Sequence, residues 1–143
     1  MYKTGLVAAC AALLAVACTA SQSDLDARAT AFVQALIEEP GNVEKLGRLA
    51  AAGPRLDPRT LVRGQRTHVL LAYLRARQRQ GMRLGIKVTA HEALGADRRL
   101  LTVNVAEGEQ GALQRRQPGY LLQLDFYRGA SGDWQIARLQ VPE

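Results

Sequence analysis

The sequence predicts an α+β domain: three N-terminal helices packed on one face of a four-stranded antiparallel meander sheet. Three observations predict it. Apolar residues recur at helical spacing up to about residue 80, then alternate with polar ones from Leu84 onward. Pro40-Gly41, Gly53-Pro54 and Asp57-Pro58 punctuate the first half. Gly-rich turns separate the later runs closely enough for hairpins. Helix signals that precede strand signals, instead of alternating with them, argue for α+β over a parallel α/β fold.

Each element has its own signal. Ser23, with Asp26 three places on, forms a pair of the capping-box kind and opens the first helix. Leu25, Ala29, Phe32, Val33, Leu36 and Ile37 fall on one face of it, and Pro40-Gly41 ends it. Asn42 caps a second, short helix through Ala52, with Val43, Leu46, Leu49 and Ala50 inward. Asp57 as cap and Pro58 at the first position start the third helix, expected to run to about Gln80. Its apolar side carries Val62, Val69, Leu70, Tyr73 and Leu74, and Gly64 interrupts it early.

The period then changes from 3.6 to 2. Leu84, Ile86, Val88 and Ala90 alternate with Lys87, Thr89 and His91, and Gly95-Ala96-Asp97 turns the chain. Leu101, Val103 and Val105 mark the second strand, followed by a polar loop from Glu107 to Gly119. Tyr120, Leu122, Leu124 and Phe126 alternate with Gln123, Asp125 and Tyr127 in the third. Gly129 to Asp133 forms a turn, and Trp134 to Val141 the last strand. The chain carries no internal repeat and reads as one domain.

The amino-terminal segment reads as an export address. Lys3 supplies a positive charge, Leu6 to Ala17 carry none, and Ala15 and Ala17 stand before Cys18. That apolar run is too short to span a bilayer, which needs about 20 residues. Ala15-Val16-Ala17-Cys18 resembles the lipobox of bacterial lipoproteins, although Ala15 stands where the family usually has Leu. The resemblance implies a signal peptide over residues 1–17, an acylated Cys18 as the site of lipid attachment, a lipidated tether over 18–23 and a domain over 24–143. It also implies, with Thr19 in place of Asp, the periplasmic face of the outer membrane. Ordinary cleavage after Ala17 or Ala20 is the competing reading. Cys10 and Cys18 are the two cysteines, so a mature domain beyond them holds neither a disulfide nor a thiolate metal site.

The net charge is +6, and Lys3, Lys45 and Lys87 are the exceptions to an otherwise all-arginine basic set. Between Arg55 and Lys87 the basic residues face a single acid, Asp57. Arg63, Arg66, Arg75, Arg77, Arg79 and Arg83 are the candidate basic surface. It suits a solvated face, anionic lipid headgroups or an acidic envelope protein. Nucleic acid is not expected, because the run lacks interleaved aromatics for base stacking.

Three amphipathic helices followed by long antiparallel strands, ending in Ser131-Gly132-Asp133-Trp134-Gln135-Ile136, resemble the nuclear transport factor 2-like (cystatin-like) superfamily. The resemblance implies a cone whose sheet wraps a helix and often leaves a pocket. Its members include isomerases, dehydratases, ligand binders and non-catalytic subunits, so it implies no single function.

Chemical motifs are sparse. His68 and His91 lack partners at metal-ligand spacing. There is no Gly-x-Ser-x-Gly, phosphate loop or dinucleotide fingerprint, and no cofactor or metal is expected. The pocket candidates are Tyr73, Tyr120, Asp125, Tyr127 and Trp134. Asp125 and Tyr127 share one strand face and would form an acid–base pair if that face closed over an apolar cavity. If Tyr120, Leu122, Leu124 and Phe126 face the core, the pair faces solvent. The expectation is a small non-catalytic envelope lipoprotein that binds a partner protein or an apolar ligand. The alternative is a small pocket enzyme of isomerase or hydratase type.

Overall fold

The computed structural model describes residues 22–51, 56–108 and 119–143. Signal, Cys18 and the first part of the tether therefore lie outside the described residues, as do Gly53-Pro54 and most of the long loop. The described part is an α+β unit. Helix α1 (residues 22–38), helix α2 (Val43–Ala50), a 3-10 turn (Pro58–Leu61) and helix α3 (Gln65–Arg79) precede strands β1 (Leu84–Ala93), β2 (Arg98–Glu107), β3 (Tyr120–Arg128) and β4 (Trp134–Gln140). The sheet is antiparallel throughout, in the order β1-β2-β3-β4.

Helix α1 is the centre of the core. Leu25, Ala29, Phe32, Val33, Leu36 and Ile37 are all buried, as their spacing requires. Opposite them, Leu101, Val103, Val105, Leu122, Leu124, Phe126, Ile136 and Leu139 form the inner sheet face of the same cluster. Burying each large side chain contributes about 1.5–3 kcal/mol.

The start of α1 departs from the expected capping box. The helix already includes residues 22 and 23, so Ser23 is not its cap. The Asp26 carboxylate instead lies 3.0 Å from His91 Nδ1 on β1. His91 reaches it because β1 is irregular between Val88 and Ala90. Thr89 is the extra residue. Beyond it the pleat reverses, and His91, not Ala90, pairs across from the inward Leu101. Strict alternation along β1 misses this switch.

Helix α2 begins as expected: the Asn42 side chain accepts from the Lys45 N–H. Leu46 and Ala50 are buried, whereas Val43 is exposed. Ala51 closes the helix in the left-handed conformation, φ 52° and ψ 32°.

The third helix is the largest correction. Asp57 and Pro58 open only a 3-10 turn. Val62 then runs beside β4, bridged in parallel to Leu139, and Arg63 N–H donates to the Leu139 carbonyl at 2.9 Å. Gly64, at φ 88°, redirects the chain before α3 begins. The buried face of α3 is Thr67, Leu71 and Leu74. Of the expected apolar side, Val62 and Leu74 are buried and Leu70 packs against the core, whereas Val69 is 61% and Tyr73 41% exposed. Thr67 is buried because its hydroxyl accepts from the Val141 N–H at 2.9 Å, tying α3 to the end of β4.

Candidate functional site

The candidate residues separate into three places. The first is an open groove of about 580 Å³ lined by Gln65, Arg66, Val69, Leu70, Tyr73 and Tyr120. Five of these lie on α3 at helical spacing, and Tyr120 opens β3 where that strand meets the helix. Tyr73 and Tyr120 stack edge to face, ring centroids 5.6 Å apart at 67°. The Tyr120 hydroxyl, then the Glu107 carboxylate, favour the protonated Tyr73 phenol and push its pKa up to about 12. The groove is therefore apolar at its floor, with Arg66 supplying positive charge beside it.

The second place is the outer face of the sheet. Leu122, Leu124 and Phe126 face the core, so Asp125 and Tyr127 point the other way. Asp125 is nevertheless only 8% exposed. Its Oδ2 accepts from Arg98 Nη2 at 2.8 Å and Arg138 Nη2 at 3.4 Å. Its Oδ1 is buried without a hydrogen-bond partner among the described residues. The expectation of an Asp125/Tyr127 acid–base pair in an apolar cavity finds a different setting: a concavity of about 550 Å³ lined by arginines.

The third place is the opposite end of the inner face, where Trp134 lies half-buried between two guanidiniums. Arg99 and Arg128 sit 5.1 and 5.2 Å from its ring centroid. Arg128 is held by Asp97 at 3.2 Å and the Ala96 carbonyl at 3.1 Å. This is a surface brace, and Trp134 joins neither groove.

The six candidate basic residues do not form one surface. Arg75 Nε donates to the Leu36 carbonyl at 2.9 Å, locking α3 to α1, and burial followed by the charge of Arg79 lowers its pKa. Arg77 bridges to Glu107 at 3.2 Å and to Gln80 at 3.0 Å. Arg66 lines the apolar groove, Arg63 the outer face, and Arg83 a polar concavity beside Glu38 and Gln78.

Sequence reasoning missed Arg98, Arg138 and Gln140. Each stands at a position facing away from the core in its strand, and only strand pairing brings them beside Asp125: Asp125 pairs with Leu100 and Arg138, and Tyr127 with Arg98. It set Val69 and Tyr73 on the apolar side of the helix, where both are exposed, because helical periodicity marks an apolar stripe without saying what covers it. Among the described residues no His/Cys/Asp/Glu group is arranged to hold a metal ion, and no helix is long and apolar enough to cross a membrane. The chain matches no protein-family model and no curated protein.

Proposed function

We propose that this protein is a small non-catalytic lipoprotein of the bacterial envelope, anchored through Cys18 to the periplasmic face of the outer membrane, that binds an apolar ligand in the groove between α3 and the start of β3. The observation that carries the ligand reading is the open surface of Val69, Leu70, Tyr73 and Tyr120 beside Arg66. Exposed apolar side chains gathered in a concavity, with one cation at the rim, suit a molecule with an apolar body and an acidic end. A medium-chain fatty acid is the simplest such molecule. In this reading the three helices form one layer over the inner sheet face, and the groove opens at its edge, where α3 meets the start of β3. Kinship with the nuclear transport factor 2-like superfamily belongs to the same proposal and rests on the order of helices before antiparallel strands and on the turn and strand from Ser131 to Ile136.

The anchor reading rests on the apolar run and the small residues before Cys18. Acyl chains add about 0.8 kcal/mol of membrane affinity per buried CH₂, so two or more hold the domain stably. The outer-face carboxylate favours binding over proton transfer. Asp125 Oδ2 is engaged by two guanidiniums, and Oδ1 is out of contact with solvent.

Two experiments test the proposal. Dodecanoate added to the isotopically labelled protein should shift the Val69 methyl and Tyr73 ring resonances, and Val69→Glu should abolish the shifts while the fold persists. Shifts spread evenly over the surface would defeat the groove. Cys18→Ser should release the protein from membranes. Sedimentation with membranes after a high-salt wash, in that variant, would defeat lipid attachment.

A further inference from the structure

We propose that the outer face of the sheet carries a binding site for a terminal phosphate group, formed by Arg63, Arg98 and Arg138 and organised by Asp125. The argument begins with strand order. Asp125 lies on β3, between β2 and β4. Arg98 comes from β2 and Arg138 from β4, and both guanidiniums lean toward the central carboxylate. Arg63 lies one step further out, in the segment that runs beside β4. Four successive chain segments thus point charged side chains into one concavity of about 550 Å³, with Tyr127 and Gln140 completing its wall.

The donors are not used up. Each guanidinium presents five N–H groups, and Asp125 takes one nitrogen from Arg98 and one from Arg138. Their side chains remain 49% and 46% exposed. Among the described residues the Arg63 side chain has no hydrogen-bond partner. Three guanidiniums against one carboxylate leave an excess of two positive charges. A phosphate monoester carries about −1.5 to −2 at neutral pH and three terminal oxygens, which matches that charge and accepts from three directions. Planar guanidinium forks bind such oxygens in pairs. A carboxylate ligand has half the charge and two coplanar oxygens.

Asp125 is a positioning residue here. It fixes Arg98 and Arg138 before a ligand arrives, so less side-chain freedom is lost on binding. It does so with Oδ1 buried and unpaired.

The test uses the purified full chain in phosphate-free buffer. Inorganic phosphate, followed by calorimetry and by amide shifts in β2 to β4, should bind at one saturable site. Arg63→Gln and Arg138→Gln should each weaken it about tenfold, with unchanged circular dichroism. Acetate should bind at least about tenfold more weakly than phosphate. Flotation of the Cys18→Ser chain, which lacks the proposed acyl anchor, and of the same chain carrying each arginine substitution, with phosphatidylcholine vesicles with and without phosphatidic acid, identifies the source. Flotation that needs phosphatidic acid and is lost in both variants assigns the group to a lipid headgroup. Phosphate binding without flotation assigns it to a soluble phosphate compound. The site is refuted if neither probe binds, or if the double glutamine variant binds as tightly as the natural chain.

Discussion

Tyr73 shows how one side chain acquires its properties from two elements. Its phenol sits on α3, and its neighbours Tyr120 and Glu107 come from β3 and β2. Because the folded pKa is raised from 10 to about 12, the contribution of this contact to stability is complete below pH 10 and is lost as pH rises through about 12. Absorbance titration should therefore resolve one tyrosine ionising near 12. Tyr120→Phe removes the largest cause and should move that midpoint back toward 10. A midpoint unmoved by the substitution would break the assignment. Neither the helical period of α3 nor the alternation of β3 foretells the contact, since it depends on how the helix is set against the strand end.

At the scale of elements, two backbone positions carry the sharpest expectations. Ala51 ends α2 in a conformation that suits glycine, because its Cβ crowds the backbone there. Ala51→Gly should raise the free energy of unfolding by about 0.5–1 kcal/mol in urea titration. Gly119, before β3, has the opposite constraint. A Cβ placed there would run into the Asn104 side chain. Gly119→Ala should cost about 1–3 kcal/mol, and adding Asn104→Ala should recover most of that loss by opening the space. If the double variant is no more stable than the single one, the clash lies elsewhere. Helix α1, the Asn42 cap and all four strands were legible in the sequence, since each depends on local spacing and local hydrogen bonds. The division of the expected third helix at Gly64 was half legible. Glycine warned of a break, but the pairing of Val62 with Leu139 pulls the preceding segment away, and that partner lies 77 residues later.

For the molecule as a whole, one apolar cluster joins helices and sheet. Phe32 on α1 and Phe126 on β3 are both fully enclosed within it. Phe32→Ala should destabilise the protein by about 3–5 kcal/mol, read from denaturant unfolding. Among the described residues no disulfide is available to offset that loss, so partial unfolding at growth temperature should follow, seen as faster proteolysis. Retention of natural stability would mean that α1 is not the centre of the core. The two faces of the sheet also divide the proposed labours. The inner face holds the fold together, and the outer face presents charge. The apolar groove lies at the edge of the inner face, where Tyr120 at the start of β3 meets α3.

The order of elements, the address-like amino terminus and the identity of the buried strand faces follow from the sequence alone, because charge, apolar spacing and turn chemistry are local. Which arginines meet Asp125, which side of α3 is covered, and where the pleat of β1 reverses were decided by tertiary structure. Those outcomes depend on register and on packing between distant segments, and side chains brought together in that way leave no period along the chain.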